Sequence, residues 1–200
     1  MPVCMQPVNP TSPQLSEENL RELAAARQSL RKVNRAISVA RFDGWTIAIF
    51  AALTLMMGFT DPTNIAMALG LGTVAYFELT GATRLRRLDP SAVPMLGFNQ
   101  FGLAALLTLY ALWRMHVELH GGGFLSSLVA EDPADAQVLG PWMGLGRSLV
   151  FGFYGSLIAV AVVGMGGMAW FYFSRRKYLD AYLQNTPQWI IAMQKSGLTL

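Results

Sequence analysis

Glu78 is the one charged residue inside the apolar run from Pro62 to Thr83. The other long apolar runs hold none: Gly44–Thr60, Pro90–Trp113 and Ser148–Ser174. A carboxylate in hydrocarbon is expensive, and by default it marks a functional position with a polar partner. Asn99 and Gln100 stand a few residues into the run that follows Glu78. If the two runs form an antiparallel hairpin, these amides return to the depth of Glu78, roughly 8 Å inside its helix end. Two chemistries fit the trio. It can hold a proton or a cation, or it can clamp two helices by hydrogen bonds, with Glu78 reaching towards Arg84. The shallow depth favours the clamp, because a side chain near a helix end can extend its charge to water.

The only histidines, His116 and His120, are four apart in RMHVELH. On a continuing helix both point to one face, at a spacing that could hold a metal. Two ligands do not close a site, and Glu118 would point elsewhere, so hydrogen bonding to lipid headgroups is the simpler reading. His120 also opens the string HGGG, found in the oxyanion hole of some esterases, but no G-x-S-x-G nucleophile turn accompanies it. Gly70-Leu71-Gly72 and Gly164-Met165-Gly166 follow no strand and cannot be dinucleotide loops. Small residues four apart instead let helix backbones approach: Ala66 with Gly70, Ala68 with Gly72, and Ser148, Gly152 and Ser156 in series. No cofactor motif is present, and none is expected to be needed.

The elements that must position these residues follow from composition. Apolar types make up 53% of the 200 residues and charged types 14%, against about 25% charged in a soluble domain. Mean hydropathy is +0.37. The single cysteine, Cys4, cannot form an internal disulfide and reads as a reduced thiol in a cytoplasmic tail. Each charge-free run is long enough, or nearly so, to cross a bilayer as a helix, which takes about 20 residues. A barrel would need alternating strands that are absent here. The fold class expected is all-α: an integral membrane four-helix bundle with spans at about 44–60, 63–83, 93–114 and 148–174.

Thirteen of the 15 basic residues flank one side of these spans. They are Arg21, Arg27, Arg31, Lys32, Arg35 and Arg41, then Arg84, Arg86 and Arg87, then Arg175, Arg176, Lys177 and Lys195. Arg114 and Arg147 alone fall on the other side. Lys and Arg stay cytoplasmic, so both termini are expected there, in a bacterial inner membrane, with no cleavable signal peptide. The pI near 9.2 then reflects charge facing lipid headgroups, and no nucleic acid is expected as a partner.

Residues 1–15, with four prolines and no charge, read as a disordered leader. Residues 16–43 read as an amphipathic helix with Ser16 as N-cap and Glu17 and Glu18 in its first turn. Leu23, Leu30 and Ile37 recur every seven residues, with Ala26, Val33 and Ala40 between them. Three surfaces could cover that stripe: anionic lipid, which is preferred; a copy or partner, weakened by the small Ala residues; or the protein's own loops. The tail, 175–200, reads as a helical continuation and a short interfacial helix, with Thr186 as N-cap and Pro187 at the first helical position. Tyr178, Tyr182 and Trp189 would sit at the membrane interface. The outer loop, Gly121–Gly146, is expected to carry short surface helices with Trp142 at the interface.

The layout resembles many small four-span bacterial inner-membrane proteins, a likeness of topology that implies no activity. The function expected is a non-enzymatic structural or assembly component of a homo-oligomer or larger membrane complex. Its partners would be the lipid bilayer and a second copy or another membrane protein. The alternative is a small channel or transporter subunit using Glu78, Asn99 and Gln100. An intramembrane enzyme would need a second acid, a nucleophile or a full metal set at membrane depth, and the sequence offers none of these.

Overall fold

The computed structural model describes residues 16–120 and 143–196, in which every regular element is a helix. They are α1 (Glu17–Met57), α2 (Pro62–Arg86), α3 (Ala92–Leu119), α4 (Met143–Asn185) and α5 (Gln188–Lys195). The first four are long and apolar enough to cross a membrane. The expected leader with Cys4, the glycines after His120, Trp142 and residues 197–200 lie outside the described residues.

The boundary expected at residue 43 is not a break in the backbone. α1 runs on for 41 residues, about 60 Å at 1.5 Å per residue, or twice the ~30 Å hydrocarbon layer. The reason lies in the seam. The seven-residue series through Leu23, Leu30 and Ile37 continues to Gly44 and Ala51, and the series through Ala26, Val33 and Ala40 continues to Ile47. Leu30, Gly44, Ala51, Ala26, Val33, Ala40 and Ile47 are all buried. One stripe therefore serves the basic segment and the span alike. Ser16 caps the helix as expected, its Oγ accepting from the Asn19 N–H at 3.2 Å.

The helices pack in a ring, α1 on α2, α2 on α3, α3 on α4 and α4 on α1. The α2–α3 turn holds the ring tight at the basic end. Asp89 N–H donates to Arg84 O and Leu88 N–H to Leu85 O, a Schellman closure that puts Leu88 at φ 58°. Glycine usually takes that conformation. Here a leucine bears the strain because its side chain is buried in the core.

Two cores result. The basic-end core joins Leu30, Val33 and Ala36 of α1, Leu85 of α2, Leu96 of α3, Tyr172, Leu179 and Tyr182 of α4, and Ile190 and Ile191 of α5. The other core joins Ile47, Met67, Leu71, Val74 and Leu103. α4 adds no fully buried residue to it, and only Met165 packs against it from that helix.

These cores correct two expectations. The amphipathic stripe does not lie on lipid; α4, α5 and the α2–α3 turn cover it. The small Ala side chains that weakened a coiled-coil reading allow this close approach. The tail also turns inward. Tyr182 is buried, its hydroxyl donating to Gln194 Oε1 at 2.9 Å, whereas Trp189 stays exposed, its Nε1 donating to Glu22 Oε2 at 3.2 Å. Thr186 is buried and does not cap α5. Pro187, at ψ 140°, is the N-cap, because its extended backbone delays the helix by one residue.

Candidate functional site

Where the two cores meet, one polar cluster joins all four long helices. Glu78 of α2 and Gln100 of α3 are both 0% exposed. Asn99 Nδ2 donates to Glu78 Oε2 at 2.7 Å and to Val74 O at 3.0 Å. Gln100 Nε2 donates to Glu78 Oε1 at 3.2 Å. The hairpin thus brings Glu78, Asn99 and Gln100 together as their spacing implies.

Two further members come from the outer helices of the chain. Tyr172 of α4 donates its hydroxyl to Glu78 Oε1 at 2.7 Å. Asp43 of α1 accepts from the same Gln100 Nε2 at 2.9 Å. The expectation that no second acid reaches the depth of Glu78 is therefore wrong. Asp43 precedes Gly44, and the α1 seam turns it towards the bundle. A signal was present, since residue 43 flanks a seam position once the seven-residue series is extended past 40.

The reach of Glu78 towards Arg84 is also corrected. Among the described residues the ion pairs are Arg21–Glu17 and Arg176–Asp180, both exposed. Glu78 points into the bundle, fully buried, and cannot extend to water. Two carboxylates thus share one amide donor with no cationic side chain paired to either. Gln100 Oε1 is buried with no hydrogen-bond partner.

Large side chains pack onto glycines around the cluster. A Cβ on Gly44 would lie 2.9 Å from Leu79, on Gly81 2.6 Å from Leu96, and on Gly97 2.5 Å from Phe173. A side chain at any of these positions would have to displace its large neighbour. Exposed aromatic rings lie within a turn of this level on every long helix: Phe42, Trp45, Tyr76, Phe77, Phe98, Phe101, Trp170 and Phe173. Of these, Trp45, Tyr76 and Trp170 are of the types enriched at membrane–water interfaces. From Glu78 to the far end of α2 is about 24 Å by helical rise, close to the ~30 Å hydrocarbon thickness.

The other sequence candidates are dispersed. His116 and His120 do meet, their ring centroids 4.1 Å apart and tilted 39°. His116 stacks on Trp113, and His120 Nδ1 donates to His116 O at 2.8 Å. Glu118 is buried while His120 is exposed, and among the described residues no group of three or more His, Cys, Asp or Glu could hold a metal. Ala68 is buried, and a Cβ on Gly70 would meet Leu106 at 2.8 Å. Ala66 is exposed, and a Cβ on Gly72 has open space. Ser148, Gly152 and Ser156 are all exposed on α4, and a Cβ on Gly152 would meet nothing within 4 Å.

Two open grooves complete the surface. One of about 560 Å³ runs between α2 and α3 past Gly70, Phe77, Phe98 and Gly102, with Asn99 along its wall. The other, about 520 Å³, separates the start of α1 from the end of α4, where Lys32 Nζ sits 4.1 Å over the Tyr178 ring. Comparison of the chain with protein-family models, with curated proteins and with solved structures finds no match.

Proposed function

We propose that the chain is a multi-pass membrane protein, non-enzymatic, whose bundle closes at its basic end and offers the outer half of α4 to a second copy. It is then the repeating unit of a membrane assembly. The observation that carries this reading is the exposed small-residue line of α4. Ser148, Gly152 and Ser156 recur every four residues, and a Cβ at Gly152, Gly155, Gly164, Gly166 or Gly167 has open space. Between helices in lipid, association is driven by close packing rather than by hydrophobic burial, and small residues are where backbones meet.

Cations gathered at one end support an orientation with both termini cytoplasmic and the α3–α4 connection outside, in a bacterial inner membrane. An alkaline phosphatase fusion after Lys195 should be inactive, and one at Gly122 active. The alternative, a channel or transporter subunit, draws support from Asp43 beside Glu78; proton- or cation-coupled flux in proteoliposomes would favour it.

Particle mass tests the assembly. The full chain in mild detergent and in nanodiscs should run as a multiple of 21.9 kDa. Gly152→Leu should return it to one copy that still folds, since the added side chain meets open space within the protomer. A wild-type particle of one copy in both media overturns the proposal.

A further inference from the structure

We infer that the Asp43–Glu78–Gln100 cluster binds one small monovalent cation of the sodium class. The inference is independent of self-association. Three observations converge on it. Two carboxylates, on α1 and α2, are drawn to a single amide nitrogen at 2.9 and 3.2 Å. No lysine or arginine among the described residues pairs with either acid. The carbonyl oxygen of the same amide, Gln100 Oε1, is buried without a partner.

An orphaned oxygen of this kind carries a desolvation cost of about 1–3 kcal/mol, and it asks for the same thing that the acid pair asks for. Asp43 receives one hydrogen bond, on Oδ2, which leaves Oδ1 free among the described residues. Asp43 Oδ1 and Gln100 Oε1 are thus the oxygens left without a partner among the described residues, beside the Glu78 carboxylate. Glu78 needs no further donor, since Asn99, Gln100 and Tyr172 already serve it. Glu78 Oε2, which accepts from Asn99 alone, offers a third oxygen beside those of Asp43 and Gln100.

The ligand class follows from ligand number and water. Calcium takes about six to eight oxygens, and magnesium keeps several of its waters. With Glu78 and Gln100 fully buried and Tyr172 1% exposed, water can enter only beside the half-buried Asp43. Limited access of water suits an ion of one charge, whose dehydration is far less costly than that of two.

The experiment uses the full chain in nanodiscs at fixed pH and ionic strength, exchanging sodium chloride for choline chloride. Sodium should raise the melting midpoint saturably, and radioactive sodium should bind at one per chain. Asp43→Asn and Gln100→Leu should each abolish both effects. Should either variant fail to fold, sodium binding to the wild-type chain decides alone. No sodium-specific shift and no binding overturns the inference and leaves a clamp. A response to calcium, or stabilisation by lowered pH without sodium dependence, also overturns it and assigns the site to a divalent ion or to a proton.

Discussion

The basic half and the outer half of this bundle are built by different means. In the basic half α1, α4 and α5 extend past the aromatic level, and leucine, isoleucine and tyrosine side chains are buried among them. On the membrane placement proposed above, water is the alternative environment there, so burial itself stabilises, by about 1.5–3 kcal/mol for a large side chain. In the outer half, on the same placement, the alternative is lipid, as apolar as the core, and contact must come from shape and hydrogen bonds. α4 accordingly touches little there: Leu149, Phe153, Val160, Val162 and Val163 are all exposed, and Arg114 Nε to Tyr154 Oη at 3.3 Å is among its few polar ties to α3. The polar cluster sits at the seam between the two regimes and is the point where every long helix is tied to another.

The largest contrast is expected at glycines. Gly97→Leu forces a side chain against the Phe173 ring, and its cost should reach or exceed about 3 kcal/mol, the upper end for overpacked cores. Gly152→Leu should leave the melting of the isolated protomer unchanged. Equal losses would erase the distinction between the halves.

Next come apolar truncations. Ile190→Ala at the fully buried contact of α5 should lower stability by about 2–5 kcal/mol. Val163→Ala, at a position 75% exposed on α4, should be silent in a melting assay. A smaller effect is expected at the cluster. Tyr172→Phe removes one donor to Glu78 and should cost about 0.6 kcal/mol, the measured average for polar contacts between membrane helices, and no more than about 1.7 kcal/mol, the measured maximum. No loss at all would remove Tyr172 from the tie between the halves.

The smallest effect belongs to Asp89 in the α2–α3 turn. Its Oδ1 accepts from Ser91 Oγ at 2.8 Å and Ser91 N–H at 3.0 Å. These bonds hold its carboxyl below the usual range. A depressed folded-state value means stability that is present at neutral pH and lost as pH falls through it. Asp89→Asn should therefore differ from wild type above about pH 4, the unperturbed aspartate value, and converge with it at lower pH. Water screens so open a group, and the shift will be slight.

The sequence made much of this legible. Four spans follow from missing charge, and Glu78, Asn99 and Gln100 meet because a short turn fixes how α2 and α3 run side by side. The seven-residue stripe was visible too, but its covering surface was not, since lipid, a partner and the chain itself offer the same apolar chemistry. Asp43 was missed because it reads as the last polar residue of a water-side helix until the stripe is followed into the span. Tyr172 was missed for another reason. The long connection between α3 and α4 leaves the height of α4 against α2 unset, so no spacing rule brings residue 172 to residue 78. Of the glycines that govern internal approach, Gly44 continues a small-x-x-x-small series with Ala40 and Ala48, whereas Gly81 and Gly97 belong to none; a single glycine opposite a large side chain leaves no periodic signal.

The central claim is that the outer face of α4 is left open within the protomer for another helix. Disulfide trapping in native membranes tests it most directly. With Cys4 replaced by serine, Gly152→Cys should be oxidised to a cross-linked dimer, while a cysteine at the internal Ala82 should not. A Gly152→Cys chain that stays monomeric under oxidation, in membranes where its thiol still reacts with a small maleimide, would contradict the account.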